Sequence, residues 1–166
     1  MAMAFPFEHE PPNPLDKVER LAERQRWDFD RSNPHEVTML VDGGWSDMHV
    51  GMTWRDDVET LQVACTFETK VPPQRRDEMA RLVAIVNTQL LHGHFELWPV
   101  EGNLVFRNAL LLAGGAEANE AQCETMIRLA IQSCERYFPA VQFVVWAGRS
   151  AEEALEASLF ETAGEA

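Results

Sequence analysis

The stretch RRDEMARLVAIVNTQLLHGHFEL, residues 75–97, decides the architecture, because a hydrophobic helix within it leads into a short aromatic strand. Met79, Leu82, Val83, Val86 and Leu90 recur at helical spacing on one face, with Arg81 and Thr88 opposite. Ala80, Ala84 and Leu91 widen that face on one flank. Pro72 and Pro73 stop a preceding strand and open the helix, and Gly93 provides a residue without a Cβ where the chain turns toward Phe95 and Leu97.

Upstream of this unit the apolar residues change to a period of two. Val37, Met39 and Val41 share one side of a strand, and Asp42-Gly43-Gly44 marks a turn. Met48, Val50, Met52 and Trp54 repeat the pattern, as do Leu61, Val63, Cys65 and Phe67 after a turn at Asp56-Asp57. These three strands predict an antiparallel meander with one apolar face. Residues 27–31 alternate aromatic and charged residues and break at Pro34, which suits a short strand or an extended lead-in. Downstream, residues 95–98 and 104–111 flank Pro99-Val100-Glu101-Gly102-Asn103 and form a second hairpin.

Helices close the pattern at both ends. Asn13, Pro14 and Asp16 suit a helix N-terminus, and Leu15, Val18, Leu21 and Ala22 give a narrow stripe ending near Arg26. Cys123, Met126, Ile127, Ala130, Cys134 and Tyr137 line a helix expected from about residue 117 to 137, which Pro139 should end or kink. Residues 140–146 fit a helical segment or a sixth strand, with helix preferred. Ser150 and Glu153 make a capping box for a last helix reaching about Phe160. The fold class is therefore α+β, with an antiparallel sheet of about five strands packed by N-terminal, central and C-terminal helices. Residues 1–12 read as a lead-in, 13–161 as one domain and 162–166 as a tail.

Composition narrows the function classes. The chain of 166 residues is 46% hydrophobic, enough for a packed core without staples. It carries 27 acidic against 14 basic residues, a net charge of −13 that repels nucleic acid and anionic lipid. No apolar run is long enough for a membrane span, and the N-terminus lacks the features of a secretory signal, so a cytoplasmic location is expected. Cys65, Cys123 and Cys134 are too few and dispersed for a disulfide framework or zinc knuckle.

Catalytic candidates are sparse. His92 and His94 could approach one metal ion, but no third ligand is near in sequence, and a surface pair at a helix end is the plainer interpretation. Cys65 with His49 would make a thiol enzyme only if they met, yet their phases place them on opposite faces of the sheet. Ala113-Gly114-Gly115-Ala116 precedes a helix but lacks the Lys and Ser/Thr of a phosphate loop. No cofactor or metal is expected. Trp45, Met48, Met52 and Trp54 could form an adaptable peptide-binding surface, although such a stripe is more often core. Arg107, a charge among Leu104, Val105, Phe106 and Leu110, either reaches solvent or pairs with a carboxylate at a groove.

Several stretches, taken in order, resemble the YbjN family of bacterial proteins, described as sensory transduction regulators. They are Leu15-Asp16 with Val18-Glu19-Arg20, Trp27-Asp28-Phe29-Asp30-Arg31, Gly44-Trp45, Val71-Pro72 with Arg75-Arg76, Asn87, and Gly93-His94-Phe95-Glu96. Val105-Phe106-Arg107, Cys134-Glu135-Arg136-Tyr137 with Pro139-Ala140, and Trp146-Ala147-Gly148 with Glu153-Ala154-Leu155 complete the set. The resemblance implies a fold similar to that of type III secretion chaperones, and a small acidic protein, usually dimeric, that holds an extended segment of a partner protein. A non-enzymatic binding or regulatory protein is thus the first expectation, with Trp45, Met48, Met52, Trp54 and Arg107 as partner-binding candidates. A small metal-dependent or thiol enzyme, or a dimerisation module resting on the wide face of the central helix, are the alternatives.

Overall fold

The computed structural model describes residues 12–164, and of residues 162–164 only the backbone. The expected lead-in, apart from Pro12, and residues 165 and 166 of the expected tail lie outside the described residues. Helix α1 (Leu15–Gln25) is followed by strands β1 (Asp28–Asn33), β2 (Glu36–Val41), β3 (Met48–Arg55) and β4 (Thr60–Lys70). Then come α2 (Arg76–Asn87), β5 (His94–Leu97), β6 (Asn103–Leu111), α3 (Glu120–Val145) and α4 (Ala151–Gly164). The six strands form one antiparallel sheet in the order β1-β2-β3-β4-β6-β5.

Among the described residues the sheet therefore has six strands where about five are expected from the sequence. The added strand is β1, which pairs with β2 through Phe29 opposite Met39 and Asp30 opposite Thr38. The sequence leaves this segment between a short strand and an extended lead-in, and it places a charge, Arg31, in the inward phase. Its guanidinium, however, lies 2.7 Å from both Asp16 and Glu19 of α1, and those carboxylates hold its pKa above the ordinary arginine value. A clamp between β1 and α1 thus replaces the missing apolar residue.

Every second residue of the sheet faces a single helical layer. Met39, Val50, Cys65, Phe106 and Phe95 stand opposite one another in register and are all buried. Helices α1 and α3 cover β2 to β4, while α2 lies against β5 and is flanked by α3 and α4. The other face carries Thr38, Gly51, Ala64, Arg107 and His94 in the corresponding row. Among the described residues no element covers it, and it is mostly polar.

Two helices depart from the periodicity. Helix α2 stops at Asn87, so Leu90 and Leu91 lie beyond it, and Leu91 is 88% exposed. Ala80 and Ala84 are exposed as well, which leaves Met79, Leu82 and Val86 as the buried stripe. Helix α3 begins at Glu120, where Asn119 and Gln122 form a reciprocal capping box, and it continues through Pro139. A mid-helix proline costs roughly 3 kcal/mol. Here Cys134, Tyr137 and Phe138 before it and Ala140, Val141 and Val144 after it are all buried, so packing on both sides keeps the axis continuous. At α4 the capping box of Ser150 and Glu153 is present, with both bonds at 3.2 Å, and the helix runs past Phe160.

Candidate partner-binding surfaces

The five binding candidates divide between the core and two separate surfaces. Met48 and Met52 are 0% exposed and Trp54 is 9% exposed, because their phase on β3 turns them under the helical layer. Each such burial is worth about 1.5–3 kcal/mol, which makes these side chains part of what holds the sheet to the helices. Trp45 lies in the β2–β3 connection with 43% exposure, its ring centroid 6.4 Å from that of Phe138 on α3. The Gly44 amide, donating to Glu135 Oε1 at 2.9 Å, ties that loop to the helix.

Arg107 sits on the opposite, polar face. It reaches Glu96 of β5 at 3.3 Å, which answers the choice between solvent and a carboxylate in favour of the carboxylate. Glu96 also meets His94 Nε2 at 2.8 Å and accepts from Trp98 Nε1 at 3.3 Å. Burial pushes the Glu96 carboxyl up, but the hydrogen bonds from His94 and Trp98 and the Arg107 charge outweigh it and hold its pKa below the usual value. Trp45 and Arg107 stand on opposite sides of the sheet and do not form one site.

The chemical alternatives lose their geometry. His94 is engaged with Glu96, and among the described residues no group of three His, Cys, Asp or Glu side chains is placed to hold a metal ion. His49 lies on the polar face near Glu68, whereas Cys65 is fully buried beneath α3. Cys134 packs on Cys65, its sulfur 3.8 Å from the Cys65 carbonyl oxygen; the neighbouring Cys65 thiol and burial push its own thiol pKa up, away from a nucleophile. The amides of Gly114 and Gly115 already donate to the Glu59 carboxylate, each at 3.3 Å. That loop's anion position is filled by the chain itself.

Residues outside the candidate set shape the two edges of the sheet. At β5 the side chain of Asn87 accepts from the Phe95 amide at 2.8 Å and donates to the Phe95 carbonyl at 3.0 Å. At β1, among the described residues, only β2 bonds to the backbone of Asp28 to Arg31. Trp27 and Phe29 are half-buried there on the helix side, and Asp28 and Asp30 are exposed on the other. Periodicity could place β1 in the chain but not at the open edge of the sheet, since edge position depends on the pairing of all six strands.

Related structures share this architecture at low identity. A crystal structure of YbjN from E. coli, described as "a putative transcription regulator", superposes with a TM-score of 0.53 at 13% identity over 89% of this chain and 93% of that one. A chain in the crystal structure of the ExsC-ExsE complex gives a TM-score of 0.56 at 14% identity over 74% of this chain and 88% of that one. No curated protein matches the sequence significantly. The model of the YbjN family, "Putative bacterial sensory transduction regulator", matches residues 14–143, from the start of α1 nearly to the end of α3. With its order of motifs and its sheet both accounted for, the chain belongs to the YbjN family.

Proposed function

We propose that this protein is a non-enzymatic binding protein that holds an extended segment of a partner protein as an added strand on β1. The observation that carries this reading is the contrast between the two sheet edges. An unpaired strand edge must be covered, blunted or used, and β5 is occupied by a side chain while no described residue covers the outer edge of β1. Backbone hydrogen bonds would supply affinity, and half-buried Trp27 and Phe29 would receive alternate apolar side chains of the added strand. Asp28 and Asp30, in a chain of net charge −13, favour a partner with Lys or Arg flanking those apolar anchors. Nucleic acid and membrane lipid are disfavoured by the same charge. The similarity to a chain of the ExsC-ExsE complex supports capture of another protein, and a cytoplasmic setting fits this reading.

Titration with extended peptides of alternating apolar residues, flanked either by Lys or by Glu, tests the proposal. The Lys-flanked peptide should bind at least about tenfold more tightly, and Asp28→Lys with Asp30→Lys should abolish the preference at unchanged thermal stability, since both side chains are exposed. Equal binding of both peptides, or none, rejects it.

Self-association is a second part of the reading, and it rests on apolar groups left outside the core. Leu91 is 88% and Phe160 73% exposed, and Leu91 lines a groove with Leu90, Leu129 and Tyr137 between α3 and the 88–93 connection. Light scattering of the wild type against Leu91→Glu should show a dimer reduced to a monomer. A wild-type monomer at about 100 μM removes the dimer.

A further inference from the structure

We infer that Asn87 is a lock that closes the β5 edge and thereby leaves β1 as the strand-accepting edge. The consequence for partner choice rests on the strand-capture reading, but the lock itself does not. In an antiparallel sheet, two residues directly opposite in a hydrogen-bonded pair exchange both N–H···O bonds, one donor and one acceptor from each. The Asn87 carboxamide makes the same exchange with Phe95, accepting at Oδ1 from the Phe95 amide at 2.8 Å and donating from Nδ2 to the Phe95 carbonyl at 3.0 Å. One side chain from the last residue of α2 thus stands where the next strand would be.

The position is well chosen for the purpose. Strand β5 has only four residues, and its neighbour on the other side is β6. Trp98, just past the strand, donates inward to Asn103, so by alternation Phe95 and Leu97 direct their backbone polar groups away from β6. Asn87 fills the first of these two outward positions, and Pro99, following Trp98, has no amide hydrogen to extend the edge. Leucine, serine or aspartate at position 87 could not make both bonds: leucine has no polar atom, serine is too short, and a carboxylate accepts but cannot donate.

Removal of the lock should turn β5 into a second docking edge, and the strand most available to it is β5 of a second copy, antiparallel about a two-fold axis at Phe95. Amide exchange and light scattering of the full chain without peptide test this. In the wild type, the Phe95 amide should exchange at least about tenfold more slowly than that of Leu97, as expected for one outward group held by Asn87 and one with no hydrogen-bond partner among the described residues. In Asn87→Ala the Phe95 rate should rise to that of Leu97, and the mass at a given concentration should exceed that of the wild type. Thr88→Ala, at the adjoining exposed helix end, should do neither. Asn87→Asp should keep Phe95 protected, since the acceptor remains, without added mass.

Equal Phe95 and Leu97 rates in the wild type overturn the lock whether or not Asn87→Ala folds. So does a folded Asn87→Ala whose mass matches the wild type. The result is separable from that of peptide binding at β1: a protected Phe95 in a protein that binds no peptide keeps the lock and rejects the capture reading.

Discussion

Gly93→Ala should destabilise the protein by roughly 3–5 kcal/mol, a large share of the 5–15 kcal/mol that typically separates folded from unfolded chains. Two costs combine at this position. Gly93 has φ +72°, a left-handed conformation that costs an L-residue about 1–2 kcal/mol. A Cβ built there would also lie 2.6 Å from the Arg107 carbonyl oxygen and closer still to Phe106 Cζ. Neither neighbour can give way cheaply, because Phe106 is fully buried against Phe95, and Arg107 is in register with His94. Gly114→Ala isolates the first cost: φ there is +76° but nothing lies within 4 Å of the added carbon, so about 1–2 kcal/mol is expected. Urea denaturation midpoints of the two variants measure the difference. A Gly93→Ala shift no larger than that of Gly114→Ala would mean that the hairpin relaxes freely around the new carbon.

The sequence made the meander legible because three strands alternate cleanly and only one face is covered. Val37 to Val41, Met48 to Trp54 and Leu61 to Phe67 all keep their phase in the sheet. What escaped it was set by distant partners. Arg31 breaks the apolar phase of β1 and is rescued by Asp16 and Glu19 on another element, and Pro139 is carried through α3 by burial on both sides. The same holds for the candidate site: a stripe of Met and Trp looks alike whether it faces a helix or a peptide, and only the position of the helical layer assigns it to the core.

The stretches that resemble the YbjN family prove to be largely latches. Arg76 donates to the carbonyls of Val71, Pro99 and Val100, Glu135 holds Gly44, Asn87 holds Phe95, and the Arg75 guanidinium packs where a side chain on Gly148 would go. Motifs shared for architecture report the fold well. They say little about which partner is bound.

The contrast between Trp54 and Trp45 tests this division, and it carries the second large effect. Trp54→Ala should cost about 3–5 kcal/mol, since it removes a nearly fully buried ring between β3 and the helices, and Met52→Ala should cost about 2–5 kcal/mol for the same reason. Trp45→Ala removes a ring that is 43% exposed and, among the described aromatic side chains, rests on Phe138 alone, so a loss of about 1 kcal/mol is expected. Arg107→Ala breaks an ion pair that remains in contact with solvent, worth about 1 kcal/mol or less. Thermal unfolding should therefore separate Trp54 and Met52 from Trp45 and Arg107, and peptide titrations at a temperature where all four variants are folded should find the first two no weaker than the wild type. A Trp54→Ala protein with wild-type stability and lost peptide binding would put the Met/Trp stripe of β3 on the binding surface. The helical layer would then have to lift from β3 when the partner docks, because in the closed arrangement Met48 and Met52 have no access to solvent.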